Sequence, residues 1–168
     1  MYPYQTRRIR SQLAGLSREA RHVVLPIDSS QNSVRAFEWY LNEMSKPNDL
    51  VHFVHVVEPK ITDMTYASPT EAMTHTVMRQ YEKDYAQGNA LGDDFLARLN
   101  SHGLRGKFTI HFGNKPGEYI VNLVKNQQVD MVVMGSRGVG KLTRTIFGSV
   151  SDYVLHHSHK PVTIIPPI

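Results

Sequence analysis

Five short runs of apolar, mostly β-branched residues recur along the chain: 22–27 (HVVLPI), 50–57 (LVHFVHVV), 107–112 (KFTIHF), 129–134 (VDMVVM) and 161–165 (PVTII). Runs of this length between turn residues predict buried strands. Helical spacing fills the intervals. Val34, Phe37, Leu41 and Met44 lie 3, 4 and 3 residues apart, which predicts a helix over 32–44 with Trp39 and Tyr40 packing beside its apolar face. A long helix is expected over 71–100, anchored by Val77, Tyr81, Tyr85, Leu91, Phe95 and Leu99, with Gly88 and Gly92 as points of breakage or bending. Pro116 suits a first helical turn and is followed by Ile120, Leu123 and Val124 on one face. Gly148-Ser149 opens a fourth helix, with Ser149 as its N-cap and Asp152 closing a capping box. The stretch 60–70 has no periodicity and reads as a loop. Strands alternating with helices predict an α/β fold: one three-layer domain around a parallel, five-stranded sheet.

Composition narrows the class. The chain of 168 residues suits one domain, and 40% apolar with 20% charged residues is ordinary for a globular protein. It contains no cysteine, which excludes disulfide frameworks and thiolate zinc sites. No apolar run approaches the ~18 residues of a membrane span, so no membrane association is expected and the localisation is read as cytoplasmic. The net charge of +4 comes entirely from residues 1–21, while the remaining 147 residues balance at 14 basic against 14 acidic. A nucleic-acid-binding face would carry its surplus on the folded part, so no nucleic-acid partner is expected. Residues 1–20 read as a mobile basic tail ahead of a domain at 21–168. Arginine-rich text with few acids leaves a transit peptide or a membrane-surface helix as the other readings of the tail.

The chemistry concentrates between Val129 and His157. The strand there stops at Gly135 and is followed by small and cationic residues, then by a helix start. Glycines admit backbone N–H groups close to phosphate oxygens, and a helix N-terminus adds partial positive charge. Gly135 to Lys141 reads G-x-x-x-x-G-K, but Leu142 stands where a P-loop needs Ser or Thr on its metal. No acidic metal-holding strand follows either, and Asp152 is the one acid after the motif. A P-loop is therefore rejected. The longer pattern is Gly135, two residues, Gly138, nine residues, Gly148, Ser149.

That pattern resembles the nucleotide-binding signature of the universal stress protein family. MGSRG, FGSVSDYVL and HKPVTIIP match the family's C-terminal half, and HVVEP its second strand; the resemblance covers roughly residues 20–168. It implies a Rossmann-like strand order 3-2-1-4-5, which brings Asp28 and Gly135 to one topological switch point. It also implies ATP, or AMP or ADP in its place, with Mg2+ across the phosphates. Asp28 and Val56 would hold the base and ribose, with Pro26 and Met134 in contact. Backbone around Gly135, Gly138, Gly148, Ser149 and Val150 would hold the phosphates, helped by the hydroxyls of Ser149 and Ser151. Arg137, Lys141 and Arg144 are cations for the terminal phosphate. The resemblance further implies a homodimer through Val162–Ile165.

No acid or glutamine near the loop is placed to orient water, so no catalytic residue is assigned. The expected activity is a nucleotide-dependent switch in stress response with at most slow hydrolysis. A dimeric interaction protein that binds no nucleotide is the alternative, and an adenylyl transferase or flavin carrier on a related sheet is more distant. Asp28 also reads as a plain helix cap. His52 and His55 point to opposite strand faces and do not share a metal. His156, His157 and His159 suit the negative end of a helix dipole better than a metal.

Overall fold

The computed structural model describes residues 20–59, 71–136 and 148–167, with the side chains of 71–75 outside that description. The expected basic tail, except Ala20, lies outside it. Five parallel strands, β1 (Arg21–Pro26), β2 (Asp49–Val57), β3 (Arg105–Phe112), β4 (Met131–Gly135) and β5 (Val162–Ile165), stand in the order β3-β2-β1-β4-β5. The crossovers are α1 (Gln31–Trp39), α2 (Glu71–Ser101), α3 (Pro116–Asn126) and α4 (Ser149–His157).

Alternation along the strands divides the core in two. Val23, Leu25, Val51, Phe53 and Val133 face α1 and α2, whereas Val24, Val54, Val132 and Met134 face α3 and α4. Phe37, Phe53 and Phe95 knit α1, β2 and α2 together with ring centroids 5.3–5.4 Å apart. The Phe53 pairs with Phe37 and Phe95 are edge-to-face, an arrangement that adds ~0.5–1.5 kcal/mol each beyond burial.

Several elements differ from expectation for identifiable reasons. The first helix widens after Trp39 into a π-helical turn, Tyr40–Met44, closed by Ser45 N–H to the Tyr40 carbonyl at 2.8 Å. Helix α2 is unbroken at its glycines. Gly88 and Gly92 face the sheet so closely that a Cβ would lie 2.2 Å from Ile110 Cδ1 or 2.4 Å from the Phe108 ring. They let the helix lie flat on β3. Val77, Tyr81 and Tyr85 are not core anchors: each is 45–47% exposed, and the Phe112 ring at the end of β3 has its centroid 4.2 Å from that of Tyr81 and 6.4 Å from that of Tyr85. Among the described residues, no helix is long and apolar enough to cross a membrane.

His52 and His55 do point to opposite faces. His52 is buried, and its Nε2 meets Thr109 Oγ1 at 2.8 Å. Burial, with Lys107 nearby, pushes its pKa down to about 4. The unfolded chain therefore binds a proton that the folded chain refuses between about pH 4 and 6.5, and stability falls as pH drops through that window. We expect His52→Gln to flatten the pH dependence of the urea midpoint between pH 6.5 and 4.5, removing a slope worth up to roughly 3 kcal/mol in the parent. Parallel slopes for the two proteins would refute this.

Candidate functional site

β1 and β4 are neighbours, and their C-terminal ends open into one crevice. Chain direction produces this: β1 ends at Pro26 and turns into α1 through Asp28, while β4 ends at Gly135. The crevice holds about 760 Å³ of unfilled space, open to solvent. Nine of the twelve expected site residues line it: Pro26, Asp28, Val56, Met134, Gly135, Gly148, Ser149, Val150 and Ser151. Arg137, Gly138 and Lys141 lie outside the described residues, as does Arg144.

Asp28 is fixed by its own turn. One carboxylate oxygen accepts from the Ser30 N–H at 3.0 Å and from the Ser30 hydroxyl, and the Asp28 carbonyl accepts from Ser33 Oγ at 2.5 Å. Aspartate bonding the backbone two residues on is a favoured turn starter. The helix cap itself is Ser30, in extended conformation, so Asp28 is not the cap residue.

Gly135 is required by close approach. A Cβ there would stand 2.3 Å from the Asn32 carbonyl oxygen, in the first turn of α1. The end of β4 and the start of α1 are thereby pressed together along one wall of the crevice.

At the opposite wall, α4 begins at a different residue from the one expected. Gly148, with φ −68° and ψ 155°, is the N-cap, and Ser149 is the first helical residue. Asp152 N–H bonds the Gly148 carbonyl at 2.9 Å, while the Asp152 side chain reaches toward His156 Nδ1 at 3.6 Å rather than back to the cap. No capping box forms. The N–H groups of Ser149, Val150 and Ser151 are thus outside the helix's own hydrogen bonding, as helix geometry demands of first-turn donors. Ser151 is buried and donates its hydroxyl to the Gly148 carbonyl at 2.9 Å, whereas Ser149 is exposed.

The crevice is also lined by Ser30, Asn32, Ser33 and Glu58, and by the apolar Ile27, Val54, Ile120 and Pro116. Sequence reading passed over these. DSSQNS directly after a strand was a usable signal for the first three, but nothing local announces Pro116 and Ile120, which the α3 crossover delivers. The apolar residues sit on the ends of β1, β2 and β4 and on α3, and the hydroxyls at the starts of α1 and α4. A ligand with a flat apolar part and an anionic part fits this division.

Among the described residues, no group of three or more His, Cys, Asp or Glu side chains is placed to hold a metal. His156 and His157 turn their Nδ1 atoms back to the Asp152 and Tyr153 carbonyls at 2.8 and 2.7 Å.

The sequence profile of the universal stress protein family matches residues 19–166. The chain belongs to that family. It is 32% identical over 139 residues to a universal stress protein A-like protein of Arabidopsis thaliana, covering 78% of this chain and 76% of the relative. A universal stress protein of Mycobacterium bovis is 26% identical over 86% of this chain, which spans only 47% of that longer relative. The solved universal stress protein UspA of Lactobacillus plantarum superposes with a TM-score of 0.66 at 19% identity, over 88% of this chain and 98% of that one. A solved family member from Arabidopsis thaliana with AMP bound superposes with a TM-score of 0.60 at 25% identity, over 86% and 90%. The five-stranded parallel order of this universal stress protein is the fold those relatives share.

Proposed function

We propose that the chain is an adenine-nucleotide switch that holds ATP in the crevice, with Mg2+ across the phosphates and at most slow hydrolysis. The observation that carries this reading is the convergence, at one switch point, of a fixed carboxylate, a glycine-ended strand and a helix N-terminus whose first-turn donors the helix itself leaves unbonded. In this assignment Asp28 meets the ribose, and Val56, Pro26 and Met134 border the base. The N–H groups of Ser149, Val150 and Ser151 meet the phosphates beside Gly135 and Gly148, with the Ser149 hydroxyl assisting. The Ser151 hydroxyl must leave the Gly148 carbonyl before it can contribute. Gly138 keeps its proposed backbone role at the phosphates, and Arg137, Lys141 and Arg144 theirs at the terminal phosphate. The AMP held by the Arabidopsis relative supports an adenine nucleotide over other phosphate ligands. The metal in this reading rests on the nucleotide and not on a protein cluster.

The proposal includes a homodimer through Val162–Ile165. β5 ends the sheet, so one side of its hydrogen-bonding row is unpaired among the described strands. Unpaired edges of this kind are templates for another strand.

A calorimetric titration with ATP, with and without magnesium, tests the site, and light scattering on the same sample tests the dimer. We expect saturable binding near one site per chain and a mass about twice the 19.1 kDa of one chain. A folded protein that gives no heat with ATP would exclude the nucleotide reading and leave a dimeric interaction protein of the same family.

A further inference from the structure

His55 occupies a place that its sequence neighbourhood does not explain. It stands on β2, on the face turned toward α2, and its Nδ1 lies 2.8 Å from the Ile27 carbonyl oxygen. A carbonyl only accepts, so Nδ1 carries the hydrogen and the ring donates. Ile27 directly precedes Asp28. Its N–H is held by the Val54 carbonyl at 2.8 Å. Both polar groups of Ile27 are therefore bound to β2, one by the last rung of the strand ladder and one by a side chain. The Ile27 carbonyl belongs to the peptide plane that leads into Asp28, so its fixation sets the direction in which Asp28 leaves the sheet. The ring is itself seated: a Cβ at Gly88 of α2 would lie 3.2 Å from His55 Cδ2.

We propose that His55 is a positioning residue for Asp28, acting through the Ile27 carbonyl to aim the carboxylate at the ribose side of the bound nucleotide. The inference rests on the nucleotide reading given above. First-contact groups work only when a second layer holds their geometry. Here the carboxylate is held from the far side by Ser30, and its backbone by Ser33 and His55.

The test compares His55→Val with His55→Asn by titration with ATP and magnesium, alongside thermal melts. Asparagine keeps an N–H donor one bond from Cγ, where Nδ1 stands; valine keeps strand preference and removes the donor. We expect His55→Val to bind ATP roughly five- to tenfold more weakly, the worth of one positioned hydrogen bond, and His55→Asn to restore most of the loss. The Ser30 amide, bonded to Asp28, should exchange its hydrogen faster in the ligand-free valine variant and at the parent rate in the asparagine variant. Parent-like affinity in folded His55→Val, or equal loss in both variants, would overturn the positioning role. If His55→Val does not fold, an asparagine variant that folds but binds weakly, with fast Ser30 exchange, overturns it as well. Absence of binding by the parent protein would instead remove the nucleotide reading, and this inference with it.

Discussion

Replacing Gly148 with valine is expected to abolish ATP binding while leaving the fold in place. Gly148 sits at φ −68° and ψ 155°, an extended conformation that β-branched residues adopt without strain. Its cost to the fold is the weaker capping of valine, about 1 kcal/mol. Its cost to the ligand is larger. The residue borders the N–H groups of Ser149, Val150 and Ser151, and a branched side chain there stands in the path of a phosphate approaching them. Affinity should fall by roughly a hundredfold or more, which is ~2.7 kcal/mol. Calorimetry reads the binding, and circular dichroism with a thermal melt reads the fold. Unchanged affinity in a folded Gly148→Val protein would move the phosphates away from this helix start. Gly135 offers no such clean test, because an alanine there would press its Cβ against the Asn32 carbonyl and disturb the β4–α1 contact.

Strand positions were legible because each run of β-branched residues is also a run of core contacts. Their ends were less so. β3 begins two residues before the apolar run, at Arg105 and Gly106, because these pair with Leu50 and Val51 of β2. Neither residue favours a strand by itself, and the neighbour decides. The helical spacing of Val34, Phe37, Leu41 and Met44 placed the first helix correctly but was blind to its π turn. At α4, Ser149 and Asp152 had the spacing of a capping box, yet the chain enters the helix one residue earlier, at Gly148.

The same limit applies to the site. Asp28, Gly135 and Gly148 were readable from local pattern, since each marks the end of a strand or the start of a helix. Their meeting was an expectation from family resemblance, and the observed strand order β3-β2-β1-β4-β5 is what brings them together. The Ile27–His55 bond joins residues 28 apart and has no local signature. The expectation that Val77, Tyr81 and Tyr85 are buried failed because helical periodicity cannot say where the sheet beneath a helix stops.

Asp49→Ala should cost about 3–5 kcal/mol of stability, the usual result of removing one partner from a buried ion pair. Asp49 opens β2 with its side chain fully buried. Its carboxylate accepts from Arg21 Nε at 2.8 Å and Nη2 at 2.6 Å, from the Tyr40 hydroxyl at 2.6 Å and from the Lys46 N–H at 2.9 Å. Arg21 also donates to the Met44 carbonyl at 2.8 Å. One carboxylate thus ties the starts of β1 and β2 to the π turn, and truncation strands a guanidinium and a phenol. Replacing both ions with apolar residues, Arg21→Met with Asp49→Leu, should cost clearly less than the sum of the single changes. The charge has a pH signature. Burial alone would raise the Asp49 pKa, but the bonds from Arg21, Tyr40 and Lys46 outweigh it and hold it below the ordinary 3.8. The unfolded chain then takes up the proton first, so this stabilisation is complete above about pH 4 and is lost as pH falls through the lower folded value. Burial and the bond to Asp49 raise the Tyr40 pKa, so the phenol stays a donor throughout. Denaturant melts should show the acid limb below pH 4 to be shallower in Asp49→Asn than in the parent. The corner lies at the N-terminal ends of the strands, across the sheet from the crevice. The folded fraction of Asp49→Asn should therefore bind ATP as the parent does, and a loss of affinity there would mean that the two ends of the sheet are coupled.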